Sequence, residues 1–106
     1  MNETCALLYR HGNVPLWLGG WDRGSYWGWR QAEQSLFAAL YKNEDDRMGA
    51  PRARVGRPDS SGTDSPENLA LMISEVTGCS VHDALLAMAK SAPEQVRDQL
   101  TALAAA

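Results

Sequence analysis

Apolar residues recur at helical spacing along the last third of the chain. The first set falls at positions i, i+3, i+4 and i+7, at Leu69, Met72, Ile73 and Val76. Ser65 and Pro66 stand just before this set, where a capping hydroxyl and a first-turn proline favour a helix start. Gly78 follows the set and is typical of a helix end. The pattern predicts a helix of about three turns.

The same kind of start signal occurs twice more. Ser80 with Asp83, and Ser91 with Glu94, place an acid three residues after a capping hydroxyl. Each pair precedes an apolar stripe, formed by Val81, Leu85, Met88 and Ala89 in one case and by Val96, Leu100 and Leu103 in the other. We therefore expect residues 66–106 to form a three-helix bundle, because each stripe needs a partner to bury it.

The N-terminal part has a different pattern. Residues 4–10 and 14–18 are short β-favouring runs separated by His11-Gly12-Asn13, and in residues 25–30 polar and apolar positions alternate around Trp27 and Trp29. These runs predict three antiparallel strands. Residues 31–42 carry apolar side chains at helical spacing and predict one helix. Together these elements predict a β-β-β-α module over residues 1–46.

The stretch between these two parts is poor in core-forming residues. Residues 49–66 hold three Gly, three Pro, three Ser and one Thr, and Val55 is their only large aliphatic residue. Such a composition cannot repay its ordering entropy, so we expect a flexible linker over residues 47–65. The chain as a whole is predicted to be α+β, with a small three-stranded sheet, one covering helix, the linker and the helical bundle.

Charge narrows the classes of partner. The formal net charge is -3 and the pI about 5.2, which argues against a surface built as a whole for nucleic acid or an anionic membrane. One local basic block of four cations, Arg47, Arg52, Arg54 and Arg57, is the exception. We expect a cytoplasmic, soluble protein with reduced thiols, since two cysteines are too few for a disulfide scaffold.

The helical part resembles the ubiquitin-associated (UBA) family of three-helix domains. The resemblance rests on Thr77-Gly78-Cys79-Ser80 between the first two helices and on Leu100 and Leu103 in the third. It implies a hydrophobic patch for a protein partner at Val76, Thr77, Gly78, Cys79, Leu100 and Leu103.

Two other resemblances concern DNA. The turn at Gly78 resembles a helix-turn-helix, although the helix after it offers only His82, Asp83 and Lys90 as polar readers. Residues 52–58 resemble an AT-hook, with a Gly-Arg-Pro core flanked by cations. A DNA-binding regulator that uses Arg52, Arg54, Arg57 and the helical part is therefore the alternative function.

Four tryptophans within 13 positions are the most unusual local composition: Trp17, Trp21, Trp27 and Trp29. Tryptophan marks both small cores and interaction surfaces. We expect at least two of the four to be core, and one or more of the others to contact a partner.

Catalytic and metal-binding interpretations are weaker. Cys79-x-x-His82 with Cys5 and His11 contains zinc-ligand residue types, but the second pair is too widely spaced for a typical site. His82 and Asp83 are neighbours about 100° apart on a helix and cannot act together as a relay. We predict no enzyme, no metal and no cofactor.

The leading hypothesis is a non-catalytic regulatory or adaptor protein, of the inhibitor type that phages and plasmids often direct at a host protein. Its partner is expected to be another protein, with DNA as the alternative and no membrane contact. The predicted partner-binding residues are Trp17, Trp21, Trp27, Trp29, Val76, Cys79, Leu100 and Leu103.

Overall fold

Four helices and a four-stranded antiparallel sheet make up the described part of this α+β protein, which the computed structural model gives as residues 2–56 and 62–106. In chain order the elements are α1 (Glu3–His11), β1 (Val14–Pro15), β2 (Tyr26–Arg30), β3 (Ser35–Leu40), β4 (Ala53–Val55), α2 (Pro66–Thr77), α3 (Val81–Lys90) and α4 (Glu94–Ala105). Short 3-10 turns, Gln31–Glu33 and Glu44–Met48, precede and follow β3. The predicted α+β class is confirmed, but several elements differ from prediction.

The strands lie side by side in chain order, so the sheet is a simple meander. One row of paired residues crosses all four strands, at Val14, Trp27, Ala38 and Val55. All four are buried, and they belong to the main hydrophobic core. Because side chains alternate between the faces of a strand, this row identifies the inner face of the sheet.

The neighbouring row lies on the outer face of the sheet. It consists of Tyr26, Ala39 and Arg54, which pair across β2, β3 and β4. Phe37 of β3 lies on the same face, opposite Gly28. Neither Phe37 nor Ala39 belongs to the main core cluster.

Residues 4–10 form helix α1, so the first predicted strand is wrong. The Asn2 side chain caps the helix by accepting a hydrogen bond from the Cys5 amide at 2.8 Å. Gly12 ends it with φ at 92°, and its amide donates a hydrogen bond to the Leu8 carbonyl. An acid in the first turn and bases in the last turn also suit the helix dipole. These local signals outweigh the β preference of the short apolar run.

The helix predicted over residues 31–42 is also wrong. Gln34 has φ at 50°, in the left-handed region, which interrupts any helix between Gln31 and the residues after it. All six residues of β3 are buried. A continuous apolar run fits a helix stripe or a strand buried on both faces, and here β2 and β4 supply the hydrogen-bonding partners of a strand.

The predicted linker contains a strand. Ala53 and Val55 of β4 pair with Leu40 and Ala38 of β3, and Thr63 forms a further bridge with Leu36. The remaining part of that stretch, residues 57–61, lies outside the described residues. The edge of β3 provides the order that the local composition does not.

The helix signals after residue 64 are largely confirmed. Ser65 caps α2, Gly78 ends it in the left-handed conformation, and Ser80 caps α3. The predicted cap at Ser91 is wrong, because Ser91 follows the last residue of α3. Helix α4 instead begins after Pro93, whose ring cannot accept a hydrogen bond.

The helices and the inner face of the sheet share one hydrophobic core. Trp27 of β2 donates a hydrogen bond from its indole Nε1 to the Met88 carbonyl of α3 at 3.1 Å. Helix α1 is joined to α4 by a 2.6 Å bond from Thr4 Oγ1 to Gln99 Oε1. The C-terminal helices therefore pack on the N-terminal part as well as on one another.

Within the described ranges, no single helix is both long and apolar enough to cross a membrane. Helices α2 and α3 pass that test only when they are taken together, and they are bent by 115° at the break between them.

Candidate functional site

The sequence-predicted partner-binding residues divide into core and surface positions. Trp27 and Leu100 are fully buried, and Trp29 is nearly so. These three side chains therefore stabilise the fold and are not available to a partner. The structure agrees with the expectation that at least two of the four tryptophans are core.

Trp17 is the tryptophan that the fold exposes, with 42% of its surface accessible. It lies in the stretch after β1, where Val14, Leu16 and Leu18 are buried while Pro15 and Trp17 face outward. This alternation continues the strand pattern and places the indole on the outside of the molecule.

A groove runs between Trp17 and the outer side of α3. We call it the Trp17 groove, and its volume is ≈ 360 Å³. It is lined by Trp17, Leu18, Gly19, Cys79, Asp83, Leu86, Ala87 and Lys90. Leu86 is 42% exposed, so the groove presents two large apolar side chains, one on each wall.

Two cations flank the Trp17 indole. The Lys90 ammonium lies 5.3 Å from a ring centroid of Trp17, and the Arg23 guanidinium lies 5.7 Å from it. Each such contact contributes about 0.5–1 kcal/mol at an exposed site. The contacts hold the indole in place and surround it with positive charge, with Asp83 as the acid in the groove lining.

Cys79 is part of the lining of this groove and lies in the turn between α2 and α3. It is a free, half-buried cysteine, and the Thr77 hydroxyl donates to its sulfur at 3.1 Å. The Ser74 hydroxyl bonds to the Cys79 carbonyl. These bonds fix the turn geometry, so the groove has a preformed wall.

The other residues that the sequence predicted at a binding surface differ in how far they are exposed. Val76 and Leu103 are exposed on α2 and α4, at 46% and 36%. Trp21 is half-buried against the core, and the Lys42 ammonium lies 4.6 Å from its ring centroid. Of the patch that the UBA resemblance implies, Leu100 is buried in the core.

A second surface lies on the outer face of the sheet. A cavity of ≈ 380 Å³ is lined there by Arg30, Glu33, Phe37, Ala38, Ala39, Ala50, Arg54 and Val55. We call it the open-face cavity. The Arg30 guanidinium lies 4.3 Å from the Phe37 ring centroid.

Three aromatic rings form a line beside the open-face cavity. The Tyr26 ring centroid is 5.9 Å from that of Phe37, in an edge-to-face arrangement, and 6.3 Å from that of Tyr41. Burial, followed by a hydrogen bond and charge repulsion from Tyr26, raises the pKa of Tyr41, while nearby Arg54 acts in the opposite direction. The Tyr41 hydroxyl therefore stays neutral at physiological pH.

The arginines of the alternative function have different environments. Arg52 forms an ion pair with Asp46 at 3.2 Å. Hydrogen bonds from the Lys42 amide and then from Arg52 lower the pKa of the Asp46 carboxyl. Arg54 is exposed and lines the open-face cavity, and Arg57 lies outside the described residues.

The residues considered for metal binding do not converge within the described chain. The structure brings together no group of three or more His, Cys, Asp or Glu residues there that could hold a metal ion. His82 Nδ1 lies 2.8 Å from the Ala104 carbonyl, so the ring joins α3 to the end of α4. Burial, together with the Asp64 charge, raises the pKa of the Cys5 thiol to about 11, which makes it a poor nucleophile.

Sequence reasoning did not assign Leu86 or Arg23 to any surface, and it considered Lys90 only for contact with DNA. Leu86 carried a usable signal, because it is an apolar residue outside the α3 stripe of Leu85 and Met88. Arg23 had no such signal, because its contact with Trp17 depends on the turn that leads into β2.

Comparison of the chain with protein-family models, with curated proteins and with solved structures found no match. Support for a function therefore comes from the Trp17 groove and the outer face of the sheet.

Proposed function

We propose that this chain is a non-catalytic regulatory or adaptor protein that binds another protein through the Trp17 groove. The observation that supports this most is the exposed Trp17 indole beside Leu86 on a preformed wall. Large aromatic side chains with adjacent apolar contacts dominate the binding energy of protein interfaces. A free chain gains nothing by leaving both side chains in water.

The groove indicates the chemistry of the partner segment. Its apolar walls suit one large aliphatic or aromatic side chain, inserted between Trp17 and Leu86. Lys90 and Arg23 lie close to the indole and favour a carboxylate next to that side chain. We therefore expect the partner to present an apolar anchor flanked by Asp or Glu.

The experiment compares four forms of the chain as bait in the cells that make it. Wild type and Tyr9→Ala should capture the same protein, because Tyr9 is an exposed aromatic residue on α1 outside the groove. Trp17→Ala and Leu86→Glu should lose it. With the purified partner, Trp17→Ala should weaken binding by about 30-fold, as expected for a hot-spot residue worth about 2 kcal/mol.

Circular dichroism must show that each variant remains folded. Retention of the partner by folded Trp17→Ala and Leu86→Glu would contradict the proposal. Loss of the partner with Tyr9→Ala to the same extent would also contradict it, because the effect would not then be specific to the groove.

A further inference from the structure

The outer face of the sheet combines a cavity, apolar side chains and two arginines, and none of these belongs to the Trp17 groove. The lining of the open-face cavity includes two apolar residues of the outer face, Phe37 and Ala39, and two arginines, Arg30 and Arg54. Small side chains at Ala39 and Ala50 leave its volume of ≈ 380 Å³ open, within the range of about 300–1,000 Å³ typical of ligand sites.

The charge of this cavity is positive although the whole chain is acidic. Glu33 is the acid among the described residues that line it, and its carboxylate lies 3.9 Å from Arg30 Nε, at the outer limit of an ion pair. Arg54 is exposed and lies in β4, on the other side of β3 from Arg30. A ligand with negative charge would therefore be favoured here.

The three aromatic rings beside the cavity, which we call the aromatic line, add apolar contacts to the positive charge of the arginines. Phe37, Tyr26 and Tyr41 are spaced at 5.9 and 6.3 Å across the same region. The side chain of Arg30 lies over Phe37 and remains 36% exposed, so its guanidinium offers a planar cation on top of the ring. Aromatic rings and arginine planes are the groups on which unpaired bases stack.

We propose that this outer face, centred on Arg30, Phe37 and Arg54, binds single-stranded nucleic acid. One unpaired base occupies the open-face cavity and stacks on the Arg30 guanidinium, which covers the buried Phe37 ring, and adjacent phosphates contact Arg30 and Arg54. An acidic peptide would satisfy the arginines but would make no use of the aromatic line. A duplex hides its base faces and cannot stack in the cavity.

The test uses a fluorescein-labelled oligothymidine of about 12 nucleotides, which matches the site sizes of about 4–16 nucleotides seen for single-strand binders. Fluorescence anisotropy at low ionic strength should show saturable binding by the full chain. With two phosphate contacts, the logarithm of the binding constant should fall with the logarithm of salt concentration with a slope of about -1.4.

Arg30→Ala combined with Arg54→Ala should weaken binding at least about tenfold and bring the slope close to zero. Arg97→Ala removes a charge from the exposed surface of α4 and should leave binding unchanged. Trp17→Ala should also leave it unchanged, which separates this site from the protein-binding groove. Amide chemical shifts of wild type should move at Gly28, Phe37, Ala39 and Arg54, a readout that does not depend on the variants folding.

Absence of saturable binding would overturn the inference. So would equal binding of a duplex of the same length, equal competition by an oligoglutamate peptide, or chemical-shift changes confined to residues outside β2, β3 and β4. None of these outcomes affects the proposal for the Trp17 groove, which is tested by Trp17→Ala and Leu86→Glu.

Discussion

The Trp27 indole reaches across the core to the main chain of Met88, and this contact links the sheet to α3. Its Nε1 donates to the Met88 carbonyl at 3.1 Å, and both side chains are fully buried. Met88 lies in the last turn of α3, where carbonyls run out of helical partners. The bond therefore stabilises both the tryptophan and the end of the helix.

Trp27→Phe should lower the free energy of unfolding by about 2–4 kcal/mol, because it removes this bond and leaves a void in the core. Urea denaturation measures the change. Trp17→Phe, at an exposed position, should cost less than about 1 kcal/mol. Equal losses for the two variants would show that Trp27 is not the core link described here.

Gly56 and Gly78 provide a matched pair of substitutions. Both have positive φ, at 80° and 82°, but a Cβ on Gly56 would lie 2.1 Å from the Leu36 carbonyl oxygen, whereas a Cβ on Gly78 would meet nothing within 4 Å. Gly78→Ala should cost about 1–2 kcal/mol from backbone strain alone. Gly56→Ala should cost at least about 3 kcal/mol or prevent folding, because β4 must move away from β3. A similar small loss for both would contradict the close packing of these strands.

Two serines with the same sequence signal should behave differently. Ser80 accepts a hydrogen bond from the Asp83 amide at 3.0 Å and caps α3, so Ser80→Ala should cost about 1 kcal/mol. Ser91 stands at the end of α3, and Ser91→Ala should change the stability by no more than about 0.5 kcal/mol. Thermal unfolding of both variants makes the comparison, and a larger loss at Ser91 would restore the cap that the sequence predicted there.

Helix ends could be predicted from the sequence, whereas two of the strands could not. The caps of α2 and α3 were predictable because Ser65, Gly78 and Ser80 act on the amides and carbonyls next to them in the chain. The strand β3 was not, because its apolar run is buried on both faces only once β2, β4 and the helices have assembled around it. The strand β4 likewise depends on the edge of β3.

The candidate sites show the same division. Exposure of Trp17 follows from the in-and-out alternation after Val14 and was within reach of the sequence. Burial of Trp27 and Leu100 was not, because it depends on α3 and α4 lying over the inner face of the sheet. The open-face cavity also needed the structure, since Arg30 and Arg54 lie on β2 and β4, on either side of β3.

The two thiols should differ in reactivity. Burial raises the pKa of Cys5 from its ordinary value of 9.0 to about 11, and its thiol lies 3.5 Å from the Asp64 carbonyl. In Cys79→Ser, which leaves Cys5 as the sole cysteine, alkylation of the folded chain near pH 8 should be about 100-fold slower than in urea. Because the pKa of Cys5 is higher in the folded chain, the burial of its neutral thiol contributes fully to the free energy of unfolding below about pH 9. This contribution is lost as the pH rises towards 11. Equal alkylation rates with and without urea would contradict the burial of Cys5.

The most direct test of the Trp17 groove uses the four tryptophan indoles as reporters. Each gives its own Nε1–H signal in a ¹⁵N–¹H correlation spectrum, and the captured partner is titrated into the labelled chain. The signal of Trp17 should shift or broaden as the partner saturates, while that of buried Trp27 stays in place. A saturating partner that leaves the Trp17 signal unmoved would contradict the central claim that this exposed indole is the anchor of a protein interface.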